Sequence, residues 1–514
     1  MTQELEADPV LGRLADAVLI PPFPGGREPD WIRAALADGL AGVTLFGLNV
    51  EDDQQLAALT SRLRSAAPEP VIAIDEEGGD VTRISHQSGS DYPGNAALGA
   101  IDDVKLTRSV YAALGADLAA LGINLDLAPA VDVNTAAGNP VIGTRSFGAD
   151  PALVARHAAA AVSGLQSAGV AACAKHFPGH GSTTEDSHLV LATVDAPLSV
   201  LRARDLPPFE AAIAAGVRAI MPSHLRVPEL TGDLPASLSR RAQTDLLRGE
   251  LGFTGVIVSD GLEMRAVSEQ YGIPEAAVQA VIAGTDLLCL GRDQDQPSFL
   301  AVKAALMAAV RSGRLPGERL EEAAARVAEL RAWTAAAAAV ATVQVANVPD
   351  ATVPGTAQIA ADSLIGLTAA RRAISVSGPL PVSGRPLVVQ LVPPSNIAVG
   401  AVPWGLKPYV PADSYREIST GTPADGLAGV VNAILADAAG RTLIVVVRDA
   451  HRHPVAAAAA EVILAARPDA ALLEMGLPVW RPASAGTYLA SFGAARSSAR
   501  AAAELLGLVA PLSI

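Results

Sequence analysis

Gly255-Val256-Ile257-Val258-Ser259-Asp260-Gly261 is the stretch from which the fold can be read. Its three consecutive β-branched residues lie between Gly and a Ser-Asp pair. The run is too short for a helix and reads as a strand buried on both faces. Strands of that kind belong to parallel sheets covered by helices. Eight such runs, each ending in polar or Gly/Pro residues and followed by a helical stretch, occupy the first two thirds of the chain: 17–20, 42–46, 71–75, 123–127, 170–175, 219–222, 255–260 and 286–290. Between them, 29–38, 53–66, 107–121, 151–168, 207–215 and 275–283 carry apolar residues three and four apart, the period of an amphipathic helix. Eight strand-then-helix units predict an α/β fold, a (β/α)8 barrel of the TIM type, over residues 1–345.

Beyond Pro316 an Ala-rich helical stretch covers 318–343, and 347–355, with two Pro and no clear period, reads as a linker. The strand pattern then restarts at 386–392, 442–448, 470–474 and 486–492, alternating with helical stretches at 427–438, 454–466 and 494–506. Residues 346–514 are therefore expected to form a second, smaller layered α/β domain, an αβα sandwich.

Composition narrows the function. Half of the residues are hydrophobic and 18% charged, which is globular. The formal net charge is −15, from 38 Lys and Arg against 53 Asp and Glu, and no basic run occurs, so neither nucleic acid nor an anionic membrane is an expected partner. Cys173 and Cys289 each sit in an apolar run and read as inert core thiols, too few for a disulfide framework or a thiolate metal site. Residues 1–8 are acidic and lack the basic and apolar segments of a leader, which predicts a cytoplasmic protein.

In a barrel the chemistry lies at the C-terminal ends of the strands. The third run ends in Asp75-Glu76-Glu77-Gly78-Gly79, with Arg83 beyond it. The loop after the fourth carries 139–147 with Arg145. The fifth runs into Lys175-His176, the sixth into His224 and the seventh into Ser259-Asp260. The densest signal is Lys175-His176-Phe177-Pro178-Gly179-His180-Gly181 followed by Asp186-Ser187-His188, which places three of the chain's eight histidines within thirteen residues. Two Gly and a Pro prevent a helix, so the segment is expected to be an ordered loop over the barrel mouth. Extended residues two apart face the same way, so Asp186 can orient and charge the imidazole of His188. Asp260 alone could equally serve as a helix N-cap, but the barrel brings it to the same face as the histidine loop. The run 448–453, after a strand of the second domain, could reach the cleft but reads more readily as a solvated loop.

With these motifs the chain resembles glycoside hydrolase family 3, and within it the NagZ-type β-N-acetylglucosaminidases in their two-domain form. Their signature Lys-His-Phe-Pro-Gly-His-Gly, four residues, then Asp-Ser-His stands complete at 175–188, and the likeness extends through 75–79, 139–147 and 251–255. The resemblance implies Asp260 as nucleophile and His188 as acid/base with Asp186 beside it. It further implies that Asp75, Arg83, Arg145, Lys175 and His176 hold the sugar, with no cofactor and no metal. The chain departs from the family at Asp80, where Arg is common, and at Gly261, where Asp or Ala is common.

The chemistry that follows is a retaining, exo-acting cleavage of terminal β-linked N-acetylglucosamine through a covalent glycosyl-enzyme, on small substrates such as muropeptide or chitin fragments of peptidoglycan recycling. A histidine base adds no negative charge once deprotonated, so inorganic phosphate becomes an allowed acceptor beside water and phosphorolysis is an alternative. A different class of reading takes His176, His180, Asp186 and His188 as ligands of a metal-dependent barrel hydrolase. A non-catalytic carbohydrate-binding barrel would leave the filled donor and nucleophile positions without purpose.

Overall fold

The structure, a computed structural model, describes residues 8–346, 357–380, 385–421 and 427–512. The expected linker at 347–355 and most of the acidic start lie outside them. Two compact units emerge, and they do not follow a single cut in the chain. The first comprises residues 1–76, 107–139 and 149–355, and the second 77–106, 140–148 and 356–514. Two segments that the sequence assigns to the first domain thus group with the C-terminal residues.

The first unit is built on strands β1 (Leu19–Ile20), β2 (Gly42–Leu45), β3 (Val71–Ile74), β4 (Leu125–Asp126), β5 (Ala171–Phe177), β6 (Ala192–Thr193), β7 (Ala219–Pro222), β8 (Leu225–Arg226), β9 (Val256–Ile257) and β10 (Leu288–Cys289). A curled six-stranded parallel sheet runs β2-β3-β4-β5-β7-β9, and β1 pairs β10 in parallel. A single parallel bridge, Val258 with Leu287, continues from β9 towards β10, and the Thr44 N–H bonds the Pro21 carbonyl beyond β1. Seven of the eight expected runs contain one of these strands, β5 continues two residues past the remaining run, which was expected to end at Lys175, and the small pair β6 and β8 was not expected. Each run is buried because both of its faces are apolar. One cluster joins Ile20, Ala41, Val71, Leu125, Cys173, Met221, Val256 and Cys289, and Val327, Leu330 and Trp333 of the helix Gly317–Ala346 pack against it. Burial pushes the thiols of Cys173 and Cys289 up, the latter to about 12, so both are inert.

In the second unit, β11 (Ser375–Ser377), β12 (Pro386–Val392), β13 (Tyr415–Ser419), β14 (Thr442–Val447), β15 (Ala471–Glu474) and β16 (Thr487–Ala490) form one sheet in the order β11-β16-β15-β14-β12-β13, parallel except for β11. Alternation sorts its side chains. Leu387, Val389 and Leu443 pack under the helices Leu427–Asp437 and Pro454–Ala466, while Val388, Ile444 and Leu473 pack under Arg496–Leu505. Helices therefore cover both faces. Among the described residues no helix is long and apolar enough to cross a membrane.

Candidate active site

Strand ends of the first unit deliver the chemistry. Asp75 follows β3 and receives Lys175 Nζ at 2.6 Å from β5, and the lysine side chain is only 2% exposed. A buried ammonium requires such a partner, so the pair fixes both groups. His176, next along β5, donates from Nδ1 to Asp132 Oδ2 at 2.7 Å, and Asp132 Oδ1 accepts the His180 N–H at 2.7 Å. Burial would raise the Asp132 carboxyl, yet the imidazoles of His176 and His180 and the His180 N–H hold it below the usual range.

The chain leaves β5 through the expected loop. Gly181 passes so close to the Val133 carbonyl that a Cβ would lie 2.0 Å from its oxygen, which is why only glycine fits. His180 Nε2 meets Ser187 Oγ at 2.8 Å, and Asn139 Nδ2 donates to the His180 carbonyl at 2.9 Å. These ties hold the loop where Asp186 Oδ1 accepts both the backbone N–H of His188 at 2.9 Å and its Nδ1–H at 2.8 Å. The spacing of two residues thus produces the expected carboxylate–imidazole pair. With Nδ1 committed, Nε2 is the atom of His188 that gains or loses a proton. Burial opposes ionisation of Asp186, but its bonds to His188 pull the carboxyl below the usual range.

Asp260 follows β9 and is half-buried, with Oδ1 accepting the Gly261 N–H at 2.8 Å. It is no N-cap: the next helix starts at Arg265 with Met264 in the cap position. Burial alone would raise its carboxyl. The imidazoles of His224, His176 and His188, together with the Gly261 N–H, hold it below the usual carboxylate range. The electrostatic field therefore joins Asp260 to two of the expected site histidines and to a third whose role the sequence left open. Fully buried His224 takes the Ser237 hydroxyl at Nδ1, 2.6 Å, and donates from Nε2 to the Gly261 carbonyl, 3.0 Å. Burial resists the charging of this imidazole and lowers its pKa.

Asp132 and Glu263 also went unread in the sequence. Asp132 had a visible signal, a lone carboxylate between Val131 and Val133, where a charge can be buried only with a partner. Glu263 Oε1 accepts the Arg292 N–H at 2.8 Å, and burial, with Asp260 nearby, pushes its carboxyl up to about 7.

Arg83 and Arg145 belong to the second unit. Arg145 is 7% exposed and forms a two-pronged pair with Glu77, Nε to Oε2 at 2.8 Å and a terminal nitrogen to Oε1 at 2.7 Å. Arg83 donates to the Ala398 carbonyl at 3.0 Å. Arg448 corrects the expectation of a solvated loop: it is 15% exposed and pairs with Asp80 Oδ2 at 3.1 Å.

The metal reading finds no support in this geometry. His176 faces Asp132, His180 faces Ser187, and His188 faces Asp186. Among the described residues no group of three or more His, Cys, Asp or Glu side chains is disposed to hold a metal ion.

Residues 27–330 match the description "Glycosyl hydrolase family 3 N terminal domain". The chain belongs to glycosyl hydrolase family 3. Beta-hexosaminidase A of Pseudoalteromonas piscicida is 33% identical over 399 residues, 72% of this chain and 65% of its own length, so the chain spans just under two thirds of that relative. The beta-hexosaminidase of Stenotrophomonas maltophilia strain K279a is 40% identical over 269 residues, 51% of this chain and 78% of the relative. Among solved structures, a family 3 beta-N-acetylglucosaminidase from Paenibacillus sp. strain FPU-7 is 32% identical with a TM-score of 0.84, and the match covers 98% of this chain and 97% of that one.

Proposed function

We propose that this family 3 chain is a retaining, exo-acting β-N-acetylglucosaminidase acting on small glycosides such as muropeptide or chitin fragments. The observation that carries the reading is Asp260 held ionised among imidazoles, one of which, His188, is oriented by Asp186. The names of the relatives supply the sugar. The reading includes a closed (β/α)8 barrel: the Val258–Leu287 bridge and the Thr44–Pro21 bond support closure around the cluster shared by the parallel strands.

In the mechanism, Asp260 attacks the anomeric carbon while His188 Nε2 delivers its proton to the departing glycosidic oxygen. Asp186 stabilises the imidazolium before transfer and keeps the ring aimed. Asp75, fixed by Lys175, accepts bonds from sugar hydroxyls, and His176 is oriented by Asp132. The family resemblance also assigns Arg83 and Arg145 to the sugar. Water then attacks the glycosyl–Asp260 ester as neutral His188 takes its proton, so configuration is retained over two inversions.

The test is incubation with a chromogenic β-N-acetylglucosaminide, with and without phosphate and with and without chelator, followed by identification of the sugar released. Free N-acetylglucosamine of β configuration, at a rate indifferent to chelator, is expected. No release, or a rate abolished by chelation, would overturn the proposal. A sugar 1-phosphate as the main product would turn it to phosphorolysis.

A further inference from the structure

One buried carboxylate in the second unit has no part in the mechanism. Asp80 is 6% exposed and uses both oxygens: Oδ1 accepts the Ala494 N–H at 2.7 Å, and Oδ2 accepts the Thr144 hydroxyl at 2.6 Å while facing Arg448 at 3.1 Å. Thr144 precedes Arg145, and Asp80 lies three residues before Arg83. Further bonds join the same segments, from Arg452 and Asn396 to the Pro140 carbonyl and from Arg83 to the Ala398 carbonyl. The two loops that carry the sugar-assigned arginines are thus held within the second unit by side chains and backbone groups from 396–494.

We infer that Asp80 and Arg448 are positioning residues for sugar binding: their buried ion pair, with Thr144, sets the loops bearing Arg83 and Arg145. The inference rests on the proposed β-N-acetylglucosaminidase reading. A carboxylate this buried needs a counter-charge, and removing Arg448 would leave it unpaired.

A positioning role separates from a merely structural one by which constant moves. With 4-nitrophenyl β-N-acetylglucosaminide, Asp80→Asn and Arg448→Met should each raise KM roughly tenfold while kcat changes less than about threefold, because contacts made equally in ground and transition states are lost. Arg448→Lys, which keeps the charge, should recover most of the affinity. Arg371→Met, which removes the Arg371–Glu504 pair of the same unit at 2.8 Å, should lower the melting temperature and leave KM unchanged. If Asp80→Asn or Arg448→Met fails to fold, Thr144→Val replaces them: it removes only the hydroxyl tie and should raise KM severalfold. An unchanged KM in the folded variants overturns the inference while the activity stands. A wild-type chain that does not cleave the substrate overturns the activity, and this inference with it.

Discussion

Division of labour at the reacting centre can be tested one residue at a time. His188 Nε2 is needed only when the leaving oxygen requires a proton. His188→Ala should therefore slow alkyl glycosides on the order of 100-fold or more beyond its effect on activated aryl glycosides, and Asp186→Asn should do the same more mildly. Equal losses across leaving groups would make His188 a binding residue. In the proposed mechanism His224 acts through the neighbour of Asp260, because its Nε2–H holds the Gly261 carbonyl. His224→Phe leaves that carbonyl and the Ser237 hydroxyl without their partner, at about 1–3 kcal/mol each. It also removes the imidazole that stands first among the neighbours holding the Asp260 carboxyl low. The acid limb of kcat/KM should move to higher pH and labelling of Asp260 by a fluorosugar should slow. An acid limb unmoved in a folded variant would show His224 to be packing alone.

Among elements, legibility followed burial. The apolar runs at 219–222 and 386–392 became β7 and β12 with the expected bounds because a strand buried on both faces is apolar to its ends, Gln390 being the one polar residue within them. Edge strands were not legible: Ser375–Ser377 and Tyr415–Ser419 carry one aliphatic residue each and lie at the two margins of their sheet. The histidine loop was legible because its Gly and Pro exclude a helix, whereas Asp132 and His224 act through partners distant in sequence that no local pattern displays. The same is true of Asp286, just before β10, whose one buried carboxylate pairs with Arg248, Arg319 and Arg326 and accepts the Ile257 N–H at 2.9 Å. Asp286→Asn takes the paired carboxylate from Arg248, while Arg319 and Arg326 keep Glu322, and should destabilise the protein by about 3–5 kcal/mol. Urea unfolding measures this, and a loss below about 1 kcal/mol would mean that the arginines find other partners.

Over the whole molecule, buried carboxyls decide how stability answers to pH. Burial pushes Asp16 up to about 6, Glu263 to about 7 and Glu474 to about 8. An acid whose folded pKa exceeds its unfolded value binds its proton more tightly when folded. Its ionisation therefore opposes folding, from an onset near pH 4 until it is complete above the folded pKa. Asp132, Asp186 and Asp260, held low, work in the opposite sense: their contribution is full above the unfolded value and disappears as pH falls through the folded one. His224 and His453, whose burial resists charging, also weaken the fold on the acid side. Stability should therefore decline from pH 6 to pH 8.5 as Glu263 and Glu474 ionise, by no more than about 1.4 kcal/mol per pH unit for each group. Glu263→Gln removes one of these ionisations, so its urea midpoint should exceed that of wild type at pH 8.5 and lie close to it at pH 5. Equal midpoints for the two proteins at pH 8.5 would show that the Glu263 carboxyl is not held protonated by the fold.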